Sequence, residues 1–100
     1  MHPFLGIRYG ALTPSIAAQL GLDVHNGIIV GGVAPGSPAA TAGLQPRDVI
    51  TAVDGQQLSD DSSLAQLLSS HQPGDTVTLT VLRNGQQHQV PVTLGDTPSP

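Results

Sequence analysis

Ser37, Ser62, Ser63 and His71 are the residues that invite a catalytic reading, and the sequence around them withholds it. Gly36-Ser37-Pro38 lacks the flanking glycines of a nucleophile elbow. A serine directly before a proline at a helix start is instead an N-cap. Ser63 and His71 stand two helical turns apart, about 12 Å along an axis, beyond the reach of a shared hydrogen bond; both read as solvated helix residues. His2, His25, His71 and His88 are scattered and make no metal-ligand spacing. Gly27, Gly31, Gly32 and Gly36 lack the lysine and helix start that a phosphate loop requires. What remains is chemistry by the backbone. Phe4-Leu5-Gly6-Ile7 is an apolar run interrupted by a glycine. That glycine lets the chain turn sharply and present consecutive amide N–H groups outward as an anion-binding nest. Ile7 to Tyr9 then reads as a strand. A strand that starts from free amides can hold a peptide's terminal carboxylate and pair with the peptide backbone. A helix around Leu64 and Leu68 would form the other wall. The residues thus point to binding of polypeptide C-termini.

The elements that must position this loop are legible from local signals. Phe4 to Tyr9 is a short strand candidate. Thr13 and Pro14 open a helix that stops at Gly21, and Ser37 and Pro38 open another that stops at Gly43. Asn26-Gly27 is a turn, and Gly27 to Val33 a buried strand, since Ile28, Ile29 and Val30 are consecutive β-branched residues. Asp48 to Val53 is a strand closed by the Asp54-Gly55 turn. A further helix begins near Ser59 to Ser62, where Asp60 and Asp61 suit the positive end of the dipole, and ends at His71-Gln72-Pro73-Gly74. Val77, Leu79 and Val81 alternate with threonines. Asn84-Gly85 turns this strand into one carrying Val90, Val92 and Leu94. The sum is about five strands and two or three short helices, with no internal repeat. An open sheet has free edges that are either blunted or used, and Ile7 to Tyr9 carries neither proline nor lysine to blunt it.

Composition sets the outer bounds. The chain has 100 residues, one domain's worth, with 38% hydrophobic residues. Phe4 and Tyr9 are its aromatics, so the core is built from Val, Ile, Leu and Ala. There is no cysteine, hence no disulfide framework and no thiolate site. Three arginines against seven aspartates give a net charge of −4, which argues against nucleic acid and against an anionic membrane surface. No apolar stretch approaches the roughly 20 residues that span a bilayer. Met1 directly before His2-Pro3-Phe4 reads as a start joined to an excised domain. The expected organisation is a remnant at 1–3, a domain at 4–95 and a proline-rich tail at 96–100.

Four stretches together resemble the PDZ domain family, in the circularly permuted bacterial type of the HtrA/Deg serine proteases. Phe4-Leu5-Gly6-Ile7 is similar to the family's carboxylate-binding loop. Val33-Ala34-Pro35-Gly36-Ser37-Pro38-Ala39-Ala40 with Ala42-Gly43-Leu44 matches a second segment. Arg47-Asp48-Val49-Ile50 with Val53-Asp54-Gly55 matches a third, Arg47 standing where a glycine is usual. Pro73-Gly74-Asp75 through Leu82-Arg83-Asn84-Gly85 matches a fourth. The Leu12 to Leu22 stretch is also typical of the HtrA branch. The resemblance implies an α+β fold, a partly open, about five-stranded antiparallel sandwich or barrel with two to three short helices. It implies that the amides of Leu5, Gly6 and Ile7 bind a ligand carboxylate and that Ile7, Arg8 and Tyr9 pair with the peptide. Phe4 belongs to the same loop, and Leu5, Ile7, Leu64, Ala65 and Leu68 would line a pocket for the last side chain. Helical spacing alone leaves Leu64, Ala65 and Leu68 open to a plain core role, and strand parity alone leaves Arg8 facing either solvent or an acidic ligand side chain. The groove helix opens with Asp and Ser instead of the histidine that many eukaryotic members use to hold a Ser or Thr, which favours apolar ligand ends.

By the same resemblance the chain carries no catalytic residue, metal or cofactor of its own. Its partners would be C-terminal peptides or exposed apolar segments of unfolded proteins, and a protease domain in a parent chain of the bacterial cell envelope or periplasm. Two alternatives share the fold: a PDZ domain of a C-terminal processing protease or membrane metalloprotease, and an assembly module whose groove holds a neighbouring subunit.

Overall fold

The computed structural model describes residues 3–21, 27–58 and 61–96. Asn26 of the expected turn, the Ser59-Asp60 helix opening, His2, His25 and tail residues 97–100 lie outside the described residues, as do the side chains of Phe4 and Ala65. Strands β2 (Ile7–Ala11), β3 (Ile28–Val33), β4 (Val49–Val53), β6 (Thr76–Arg83) and β7 (Gln86–Thr93) form an antiparallel sheet in the order β2-β3-β4-β6-β7, with β5 (Gln56–Gln57) paired to β4. A separate ribbon pairs β1 (Pro3–Phe4) with β8 (Gly95–Asp96), taking in one residue beyond each end of the expected domain. Helices α1 (Pro14–Leu20), α2 (Pro38–Ala42) and α3 (Asp61–Ser69) complete the chain. The α+β class holds. The sheet has six strands and stays open rather than closing into a barrel.

The helix caps form as their residue types dictate. Thr13 Oγ1 accepts from the Ile16 amide at 3.1 Å, Pro14 fills the first turn, and Gly21 ends α1 at φ 69°. Ser37 Oγ accepts from the Ala40 amide at 3.2 Å and donates to the Ala34 carbonyl at 2.7 Å, and Gly43 ends α2 at φ 90°. The Ser37 hydroxyl is therefore buried and committed at both its donor and acceptor sides.

Both faces of the sheet centre are covered, which is why β3 needs three β-branched residues in a row. Ile28 and Val30 face the main core with Ile50, Val53, Leu58, Leu64, Val77, Leu79, Val81, Val92 and Leu94. Ile29 faces the other way and packs with Leu82 against a smaller cluster of Leu12, Ala17 and Val49, roofed by α1. At the start of β3 the backbone passes so close to β4 that a Cβ on Gly27 would lie 2.6 Å from the Ile50 carbonyl oxygen. That approach, at φ 136°, excludes any other residue. The strand expected from Phe4 to Tyr9 is broken at Leu5 and Gly6, and resumes to run on through Ala11, opposite Ile28.

One ion pair ties distant parts of the chain. Asp48, 2% exposed, accepts from Arg83 Nε at 2.8 Å, Arg83 Nη2 at 2.6 Å and the Gln45 amide at 2.9 Å. Arg83 Nη2 also donates to the Gly43 carbonyl at 3.1 Å, so the end of α2, the start of β4 and the β6–β7 hairpin meet at one carboxylate. The hydrogen bond to Asp48 raises the Arg83 guanidinium above its ordinary value; partial burial opposes this and the carboxylate's charge adds to it. Asp48→Ala is expected to cost about 3 kcal/mol in denaturant unfolding, because it leaves the Gln45 amide without its acceptor and the partly buried Arg83 guanidinium without its carboxylate. Arg47, beside it, sits at φ 76°, in the left-handed region, with its side chain exposed. Arg47→Gly is therefore expected to raise unfolding free energy by about 1 kcal/mol, measured in the same urea titrations, since a Cβ is strained there and glycine is not.

Candidate peptide-binding edge

Leu5 and Gly6 form a short loop between the β1–β8 ribbon and β2, held by its carbonyls. The Leu5 carbonyl accepts from the Ala39 amide at 3.0 Å, and the Gly6 carbonyl accepts from the Ala34 amide at 2.9 Å. Gly6 has φ 87°, a left-handed conformation that turns the peptide planes around it and that a side chain would strain. Among the described residues, neither the Leu5 nor the Gly6 amide donates to a protein acceptor. Carbonyls tied inward and amides left outward make a fixed nest of partial positive charge, suited to a carboxylate. Leu5 itself is anchored by burial in the main core, so the loop cannot drift.

The strand that leaves this loop is the end of the sheet. β2 pairs with β3 on one side, and its other edge has no strand partner among the described residues. Ile7 packs partly against the core, and alternation sends Arg8 to the opposite face. There the Arg8 chain lies across Gly32, its Cδ 4.0 Å from where a Cβ on Gly32 would sit. The open alternative for Arg8 is thus narrowed: its side chain is exposed and turned away from the core side. Tyr9, back on the side of Ile7, is 37% exposed. Gly31 is the extra residue of a β-bulge, since Arg8 pairs with Gly32 and Tyr9 with Val30. The bulge and the bend after it shape a shallow cleft of about 510 Å³ lined by Gly6, Ile7, Arg8, Gly31, Gly32 and Val33, with Ala34 and Pro35 at its end. This cleft lies on the β3 side of β2. It shares the Gly6–Arg8 stretch with the groove expected between β2 and α3 but is distinct from it.

Helix α3 packs beside β1 and β2. Leu64 is fully buried in the main core, so its first role is packing. Leu68 is half-buried against the same core, and so is Leu67, which sequence reasoning passed over. Their adjacency at a helix end, next to the expected pocket wall, was the available signal. His71, read from sequence as a solvated helix residue, lies just past α3 and is only partly exposed; its ring meets the Leu67 carbonyl and Asp54. Among the described residues no group of three His, Asp or Glu is placed to hold a metal ion, and no helix is long and apolar enough to cross a membrane.

Comparison with known proteins agrees with this fold. The family model described as PDZ domain matches residues 3–94. A probable periplasmic serine endoprotease, DegP-like, from Halomonas elongata is 38% identical over 95 residues, which is 95% of this chain and 20% of that protein. The periplasmic pH-dependent serine endoprotease DegQ of Escherichia coli is 39% identical over 90 residues, 90% of this chain and 20% of its own length. The chain thus spans about a fifth of these curated relatives. Among solved structures, the HtrA-type protease AlgW with a decapeptide superposes with a TM-score of 0.86 at 39% identity, covering 99% of this chain and 30% of that one. The HtrA3 PDZ domain bound to the phage-derived ligand FGRWV superposes with a TM-score of 0.80 at 32% identity, covering 92% of this chain and 84% of that one. With its nest-to-edge-strand arrangement and matches of this extent, the chain belongs to the PDZ domain family, in the branch found in HtrA/Deg serine endoproteases.

Proposed function

We propose that residues Leu5, Gly6 and Ile7 receive the terminal carboxylate of a polypeptide, and that the ligand backbone adds to the open edge of β2 between this strand and α3. One observation carries the reading: the amides of Leu5 and Gly6, without a protein acceptor among the described residues and held by a glycine at φ 87°, sit at the head of a strand whose outer edge is unpaired among those residues. Main-chain pairing along Ile7 to Tyr9 supplies sequence-tolerant affinity, and the last side chain selects. Leu5, Ile7 and Leu68 offer that side chain apolar contact, with Leu64 supporting them from the core and Phe4 and Ala65 completing the set by analogy. Burial of an apolar last residue contributes up to ~1.5–3 kcal/mol.

The chain spans about a fifth of its curated relatives, which supports a reading in which the chemistry lies outside it. In a parent endopeptidase of the bacterial envelope, this domain would capture exposed C-termini of unfolded or misassembled proteins and deliver them to, or signal them to, a protease domain. The peptide-bound neighbours and the periplasmic relatives support that role.

Two measurements test the groove. Affinity of an apolar-ended peptide should fall by about 1–3 kcal/mol when its terminal carboxylate is amidated, the scale of a charge-assisted hydrogen bond. Equal affinity of both forms in a fluorescence titration removes the carboxylate from the model. Gly6→Ala should weaken the same peptide at least about tenfold, since a Cβ at this φ shifts the nest, while thermal melts show a folded domain destabilised by about 1–2 kcal/mol. A folded Gly6→Ala protein that binds normally places the carboxylate at another loop.

A further inference from the structure

Two glycines in β3 have no local reason to be glycines. Gly31 and Gly32 sit at φ values outside the left-handed region. A Cβ on Gly31 would lie 3.6 Å from the Arg8 carbonyl oxygen, an ordinary contact, and one on Gly32 would lie 4.0 Å from Arg8 Cδ. Neither backbone nor packing therefore excludes a side chain, in contrast to Gly27. Glycine weakens a strand through lost entropy and lost packing, and it recurs where a ligand approaches closely. The bulge at Gly31 is a feature of the same kind, since bulges beside binding sites re-aim a neighbouring side chain. What the missing side chains leave open is the cleft of about 510 Å³ beside β2. Arg8 is the one charged side chain among the described residues that line it. It is exposed and has no carboxylate partner among the described residues, where Asp48 pairs with Arg83 and Asp54 with His71.

Strand parity says what enters this trough. A peptide whose terminal carboxylate is seated at Leu5 to Ile7 runs antiparallel to β2, because its end lies at the start of that strand. Opposite residues of an antiparallel pair share a face, and successive residues alternate. With the last residue on the core-facing side of Ile7, the penultimate residue falls on the face of Arg8. The residue before it returns to the face of Ile7 and Tyr9.

Building on the groove reading above, we propose that Arg8 and the Gly31-Gly32 trough form a subsite for the penultimate side chain of the ligand, and that this subsite selects a carboxylate. The guanidinium offers a carboxylate a planar pair of donors, and the glycines put no side chain in the way. Arg8 leans over Gly32, away from the open edge of β2, so glutamate reaches it better than the shorter aspartate. The preferred ligand class is a polypeptide that ends in an acidic residue followed by an apolar one. The pair stays in contact with water, so it discriminates by a few-fold and leaves most of the affinity to strand pairing and the last side chain.

The test uses the whole chain and N-acetylated peptides that end in the same apolar residue and differ in carrying Glu, Gln or Lys before it. Each is titrated by fluorescence at about pH 7.5, where Glu and Lys are both charged. Wild type should bind the Glu peptide about 2- to 5-fold more tightly than the Gln peptide, the scale of a cross-strand ion pair, and the Lys peptide more weakly than either. Arg8→Gln should bring the Glu-to-Gln ratio to about one, and Arg8→Glu should reverse the order of the Glu and Lys peptides. At about 1 M salt, where the Debye length is about 3 Å, the wild-type preference should shrink. A further peptide with Glu moved to the third place from the end should show no Arg8-dependent gain, because parity puts that residue on the other face. Thermal melts check that both variants fold; if either does not, the wild-type peptide series and its salt dependence decide alone. Equal affinity of wild type for the Glu and Gln peptides overturns the subsite while the groove reading stands. So does a preference that survives in Arg8→Gln, or one that follows Glu to the third place. If wild type binds none of the peptides, the groove reading fails and the subsite falls with it.

Discussion

The constraint on which this structure turns is that a sheet has edges, and the backbone groups along an edge need partners. A six-stranded sheet that closed on itself would satisfy them all and bind nothing. Here closure is refused at β2. The helix that packs alongside β2 is an α-helix, whose own backbone bonds are internal, so it covers the edge without consuming it. The remaining features near β2 keep it straight and still. Leu5 is sunk in the core, its carbonyl and that of Gly6 are tied to the α2 segment, and the Gly31 bulge lets β3 bend away while staying paired.

That stillness is maintained with few charges. The sequence has three arginines and seven aspartates, and among the described residues the side-chain contacts of Asp48 and Asp54 each span a junction between elements. Asp48 and Arg83 join the end of α2 to the far hairpin, and Asp54 reaches the end of α3. The apolar interior is made of small aliphatic side chains, which fill space well but fix orientation poorly. Directional contacts at Asp48, Asp54 and Ser37 supply the orientation.

What could be read from the sequence was whatever is decided within a few residues. The caps at Thr13 and Ser37 with their following prolines, the Asn84-Gly85 hairpin and the alternation of Val77, Leu79 and Val81 are all local, and the structure has each of them. The loop at Leu5 and Gly6 was legible for the same reason, because a glycine between apolar residues announces a backbone that must turn. The side taken by Arg8 was not legible, since parity needs one neighbour of known orientation, and burial of Ile7 supplied it only in three dimensions. Pairings across long stretches of chain were equally hidden. Asp48 meets Arg83 across 35 positions, and nothing local distinguishes these residues from solvated charges. The same holds for His71 and Asp54, and for the ribbon that brings Pro3 against Asp96.

That ribbon has a mechanical meaning. Because Pro3 lies opposite Asp96 and Phe4 opposite Gly95, the two ends of the fold emerge side by side at one corner. Any tension drawn between them is borne by the pairs of the ribbon one after another, as in the opening of a zipper, and not by all of them at once as in shear. Beyond the ribbon the path meets Leu5-Gly6 on one side and Leu94, next to the end of β7, on the other. A pull on the corner therefore arrives at the nest of amides through Phe4 and at the end of β7 through Gly95, and a load on the nest is felt at the corner.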